Sequence, residues 1–110
     1  MWHALLDGFP NNVGSEGGQV RVDEEHVLGA RITLEEGGVT APWSITCGIY
    51  GWMCHTRFIS LEAEARAQLP LMKSRMEDIL EMIPAAEAPD CDAKMKAVVN
   101  AIEKFVDDYP

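Results

Sequence analysis

Trp43-Ser44-Ile45-Thr46-Cys47-Gly48-Ile49-Tyr50-Gly51-Trp52-Met53-Cys54-His55-Thr56-Arg57-Phe58-Ile59 is the stretch whose reading decides the fold. It holds two of the three Trp, two of the three Cys and a dense set of β-branched and aromatic residues, the side chains that suit a pleated, half-buried surface. From Trp43 to Ile49 the alternation is strict: Trp43, Ile45, Cys47 and Ile49 point one way and Ser44, Thr46, Gly48 and Tyr50 the other. Continued past Tyr50, that parity buries Met53, His55 and Arg57 and exposes Trp52, Cys54 and Phe58, against the burial preferences of those residue types. A β-bulge at Tyr50-Gly51 restores agreement, because glycine readily takes the positive φ such bulges often need. The expectation is therefore one long bulged strand with Trp52, Cys54, Thr56 and Phe58 inside and Met53, His55 and Arg57 outside. In the competing reading Gly51 ends the strand and a turn follows.

Upstream, Gln19-Val20-Arg21-Val22 and Val27-Leu28-Gly29-Ala30-Arg31-Ile32-Thr33-Leu34-Glu35 read as two strands joined across an acidic turn, Asp23-Glu24-Glu25-His26. Leu28, Ala30, Ile32 and Leu34 share the inward face. Short links make consecutive strands antiparallel neighbours, so the expected sheet is a three-stranded meander with the bulged strand third. Before it, Trp2, Leu5, Leu6 and Phe9 fall at helical spacing and predict a short N-terminal helix ending at Pro10. The run from Asn11 to Gly18 carries three glycines but no GxxxxGK[ST] pattern, so it reads as a flexible linker rather than a phosphate cradle.

Downstream lie two helices. Ser60 is a candidate N-cap, followed by an apolar stripe of Leu69, Met72, Met76, Ile79, Leu80 and Ile83 that Pro70 either kinks or splits. After the link at Pro84–Pro89, with Asp90 or Asp92 as cap, Met95, Val98, Val99, Ile102, Phe105, Val106 and Tyr109 form the strongest helical stripe in the chain. The two helices should cover one face of the sheet, giving a single α+β domain over residues 1–110.

The charge excludes some functions. Eighteen acids against nine bases give −9, spread evenly: −4 through Ser60 and −5 after it. Such a surface repels phosphate backbones and anionic lipid, so neither nucleic acid nor membrane is an expected partner. The N-terminus has no basic region followed by an apolar run, and no segment is long and apolar enough to span a bilayer, so a cytoplasmic protein is expected. Three cysteines then read as free thiols.

Chemistry-bearing motifs are weak. Cys47, Cys54, His55 and Cys91 match no structural-zinc spacing, and neighbours on a strand point to opposite faces, so no metal or cofactor is expected. The acidic turn reads as a solvated tip, and the reading leans away from an enzyme. The expected site is the outward sheet face bearing Arg31, Tyr50, Met53, His55 and Arg57, residue types enriched at interface centres. It would seat a protein partner, a second copy of the chain or a small anionic ligand; the preferred reading is an acidic interaction domain whose charge favours a basic partner. The alternative is a small ligand-binding protein or enzyme with its pocket between sheet and helices near Cys47, Cys54 and His55.

Overall fold

The computed structural model describes residues 1–5, 13–84 and 89–110. Five strands, β1 (Trp2–Ala4), β2 (Gln19–His26), β3 (Ala30–Glu36), β4 (Trp43–Ile49) and β5 (Met53–Ile59), form one antiparallel sheet in sequence order. Two helices, α1 (Glu62–Met82) and α2 (Cys91–Asp108), follow. The α+β class is as expected, but the sheet has five strands instead of about three.

The sheet departs from expectation at three places, two of which add a strand. The predicted N-terminal helix is absent where it is described: Trp2–Ala4 pairs along β2, with Trp2 opposite His26. Leu6 and Phe9, the rest of that predicted stripe, lie outside the described residues. The acidic run is no turn. It belongs to β2, and the chain reverses later, at Val27-Leu28-Gly29, where Gly29 has φ +106 and donates its amide to the His26 carbonyl. Glu24 and His26 tolerate strand positions because α1 supplies their partners, Lys73 at 2.8 Å and Glu77 at 3.2 Å. Leu28, expected inside, stands exposed on the turn.

The third change is the decisive one. No bulge interrupts the 43–59 stretch; Tyr50-Gly51-Trp52 is a hairpin loop, with Gly51 at φ +82 and the Trp52 amide bonded to the Ile49 carbonyl at 2.8 Å. A positive φ at the third residue of a four-residue turn is the position where glycine is needed. Pairing then runs Ile49–Met53, Cys47–His55, Ile45–Arg57 and Trp43–Ile59. Met53, His55 and Arg57 therefore lie on the helix side, and Cys54, Thr56 and Phe58 on the other. This reverses the expected bulged strand.

The core lies between sheet and helices. Ala30, Ile32, Leu34, Trp43, Ile45, Cys47 and Ile49 line its sheet side, as their alternation predicts. Ala65, Met72, Met76, Ile79 and Leu80 of α1 and Val98 and Phe105 of α2 close it. α1 runs unbroken through Pro70 and begins after Leu61, not Ser60; neither it nor α2 has a side-chain N-cap bond.

Among the described residues of the opposite face, Glu35 is a fully buried carboxylate. It accepts hydrogen bonds from the amides of Glu16 (3.2 Å) and Gly18 (3.1 Å). Gly14 lies against it so closely that a Cβ there would overlap the carboxyl group. The glycine-rich loop is thus folded around an acid of its own chain, where a flexible linker was expected.

Candidate binding groove on the open sheet face

The face turned away from the helices is ordered in rows set by strand register. One row runs His3–Glu25–Arg31–Gly48–Cys54, the next Asp23–Thr33–Thr46–Thr56, and a third Val20–Glu35–Ser44–Phe58. The Val13–Ser15 segment on one side and the Tyr50–Trp52 loop on the other wall a groove of about 760 Å³ above the first two rows. That lies within the usual range for ligand sites, roughly 300–1,000 Å³. Its floor is bare at Gly48, where main chain alone lies between Arg31 and Cys54. Val13, Val20 and Trp52 make its lining mainly apolar.

The polar groups within reach are already satisfied by one another. Arg31 grips Asp23 with both forks, Nε to Oδ1 at 2.9 Å and Nη2 to Oδ2 at 2.6 Å, and Thr33 donates to Asp23 at 3.2 Å. Asp23 is buried while the Arg31 side chain remains 51% exposed. The bond to Asp23 raises the Arg31 pKa. Thr46 and Thr56 hydroxyls share a bond at 3.1 Å. The Tyr50 hydroxyl donates to Glu25 at 2.7 Å, and that bond raises its pKa, burial adding to it. A groove whose charges pair with one another offers shape and apolar surface more than a charged recognition point.

The structure divides the five residues expected to share one outward face. Arg31 and Tyr50 are on the open face; Met53, His55 and Arg57 are not, because the hairpin keeps the strict parity that a bulge would have broken. His55 Nε2 lies 2.6 Å from the Tyr109 carbonyl. Arg57 donates to the Gln68 side chain and to the Pro110 carbonyl at 3.1 Å, with Glu64 at 3.8 Å and the Tyr109 ring 6.0 Å away. At 17% exposure its side chain clasps the end of α2 to β5. Met53 packs against the core and also lines the groove beside the hairpin loop.

The alternative pocket near Cys47, Cys54 and His55 does not form as a common site. Cys54 lies exposed on the open face, while Cys47 and His55 face the helices. Burial pushes the Cys47 thiol up to about 12, far from a reactive thiolate. Among the described residues, no group of three or more His, Cys, Asp or Glu side chains is placed to hold a metal ion. No helix among them is long and apolar enough to cross a membrane.

Sequence reasoning turned Thr33, Thr46 and Gly48 outward without naming them as site residues, and it missed Asp23, read as part of a turn, and Trp52, read as core. One signal was present: a glycine inside a β-rich run marks a place where something approaches the main chain closely. The fold and the groove define a two-layer α+β domain with one open, grooved sheet face. No family model, curated protein or solved structure matches the chain.

Proposed function

We propose that this chain is a protein-binding domain whose working surface is the groove on the open sheet face, and that it receives an apolar side chain of a partner protein there. The observation that carries the reading is the composition of the groove. Tyr50 (54% exposed), Arg31 and Trp52 are the side-chain types that dominate interface energetics, arranged around an apolar hollow with a polar border. The Tyr50 bond to Glu25 and the Arg31 fork on Asp23 hold those two side chains in place before a partner arrives, which lowers the ordering cost of association.

Charge favours a basic partner. Eight of the nine Lys and Arg side chains form ion pairs, while Asp78, Glu81, Asp92, Glu103 and Asp107 carry acid on the helices with no ion pair among the described residues. The resulting negative field speeds encounter with a positive surface. The described cysteines are free and suit a reducing compartment, so we place the protein in the cytoplasm.

The test is site-specific photo-crosslinking in the native cell, with the photoreactive residue replacing Thr46 in the groove or Lys96 on α2. One defined protein captured from Thr46 and not from Lys96, and lost on Gly48→Leu, is the expected result. A Cβ at Gly48 meets only the Met53 carbonyl, at an ordinary contact distance of 3.6 Å, so the main chain there accepts a side chain on the groove floor. Equal capture from both positions, or capture that survives Gly48→Leu, overturns the reading.

A further inference from the structure

β5 closes one edge of the sheet, and among the described residues no strand lies on its outer side. The turn bond from the Trp52 amide to the Ile49 carbonyl sets the phase of the ladder, so Met53, His55, Arg57 and Ile59 direct main-chain groups to β4. Cys54, Thr56 and Phe58 direct theirs outward. Proteins usually defend such an edge with a proline, a lysine, a bulge or a very short strand. β5 has none of these: it is seven residues long, contains neither Pro nor Lys, and pairs with β4 without a register shift. Its one charge, Arg57, is drawn beneath the helices. The other edge strand, β1, is only three residues long.

Electrostatics single out the same edge. In a chain with eighteen acids, Trp43 through Leu61 contains none. Two copies that each carry −9 meet least repulsion where this acid-free hairpin faces its own counterpart.

We infer that two copies of the chain associate through β5, pairing antiparallel about a two-fold axis at Thr56 to make one continuous ten-stranded sheet. In that register Thr56 lies opposite itself, and Cys54 lies opposite the partner subunit's Phe58. About six main-chain hydrogen bonds form along the edge. Phe58, 43% exposed in one copy, covers the partner subunit's Cys54 on the open face, and the reverse holds. On the helix side His55 meets the partner subunit's Arg57, whose charge is offset by Glu64. Such a pair is isologous and closed, so it stops at two copies. This association does not depend on what the groove receives.

Light scattering on the eluted protein should report about 24 kDa, twice the 12.2 kDa of one chain. Thr56→Lys places two ammonium groups face to face at the axis and should halve that mass while leaving the circular dichroism unchanged. A second variant fixes the register and needs no disruption. In Phe58→Cys, mild oxidation should join native Cys54 of one copy to the new thiol of the other, mapped by mass spectrometry of a non-reduced digest. Positions 54 and 58 of one strand are roughly 13 Å apart, too far for an internal bridge, so that linkage reports two copies. A mass of 12.2 kDa at every concentration, a dimer that persists in folded Thr56→Lys, or no 54-to-58 linkage on oxidation overturns the inference. If Thr56→Lys fails to fold, the Phe58→Cys linkage decides alone.

Discussion

Cys47 shows how one position can be legible while its chemistry is not. Its parity with Ile45 and Ile49 puts it in the core, where it is fully buried and its thiol lies 3.4 Å from the His55 carbonyl. Burial lifts its pKa from 9.0 to about 12, so the folded protein keeps a proton there that the unfolded chain loses above pH 9. The stabilising contribution is complete below pH 9 and falls as pH rises towards 12, by on the order of 1 kcal/mol per pH unit. Urea denaturation across that range should show this loss in wild type and a shallower one in Cys47→Ala. A thiol reagent at neutral pH should leave Cys47 untouched until the protein unfolds. Glu35 is the opposite case. Nothing in its neighbourhood on the chain announces a buried acid, because the amides that hold it belong to a loop 17 to 19 residues earlier.

Among the elements, α1 carries a visible conflict between local preference and packing. Pro70 sits inside a 21-residue helix, where it removes one main-chain hydrogen bond and crowds the preceding turn. The helix persists because Ala65, Met72, Met76, Ile79 and Leu80 all bury against the sheet. Pro70 itself is exposed, so Pro70→Ala should restore the bond without disturbing the core and stabilise the protein by about 1–3 kcal/mol, read as a higher urea midpoint. The helices were legible because their apolar stripes repeat over many turns. The β4–β5 hairpin was not, because two devices use the same Tyr-Gly step. A bulge and a turn both need a residue with positive φ; the bulge would have put Phe58 inside, and the turn puts Arg57 there. What tips the balance is available only across the fold: Gln68, Glu64 and the Pro110 carbonyl satisfy the guanidinium that the turn buries. The same hairpin splits the expected five-residue site, leaving Arg31 and Tyr50 on the open face.

For the molecule as a whole, charge is the dominant imbalance. Nearly every base is committed to a partner, so most of the −9 is uncompensated and acts as self-repulsion in the compact state. Added sodium chloride screens this at a length shorter than the molecule's 47 Å long axis, and should stabilise the fold by about 1 kcal/mol, or roughly 4 °C in Tm. Thermal unfolding in dilute and concentrated salt checks it; a falling Tm would mean that the ion pairs outweigh the repulsion. By itself the sequence determined the α+β class, the inward set on β3 and β4, and both helices, since each follows from periodicity that packing only reinforces. The tertiary structure alone decided the strand count, the side to which His55, Arg57 and Phe58 turn, and the groove. Each of those depends on partners far along the chain: Lys73 and Glu77 for the acidic strand, Gln68 and Tyr109 for the edge strand, and Asp23 for Arg31. A local pattern states what a side chain prefers, and distant partners decide whether that preference can be overridden.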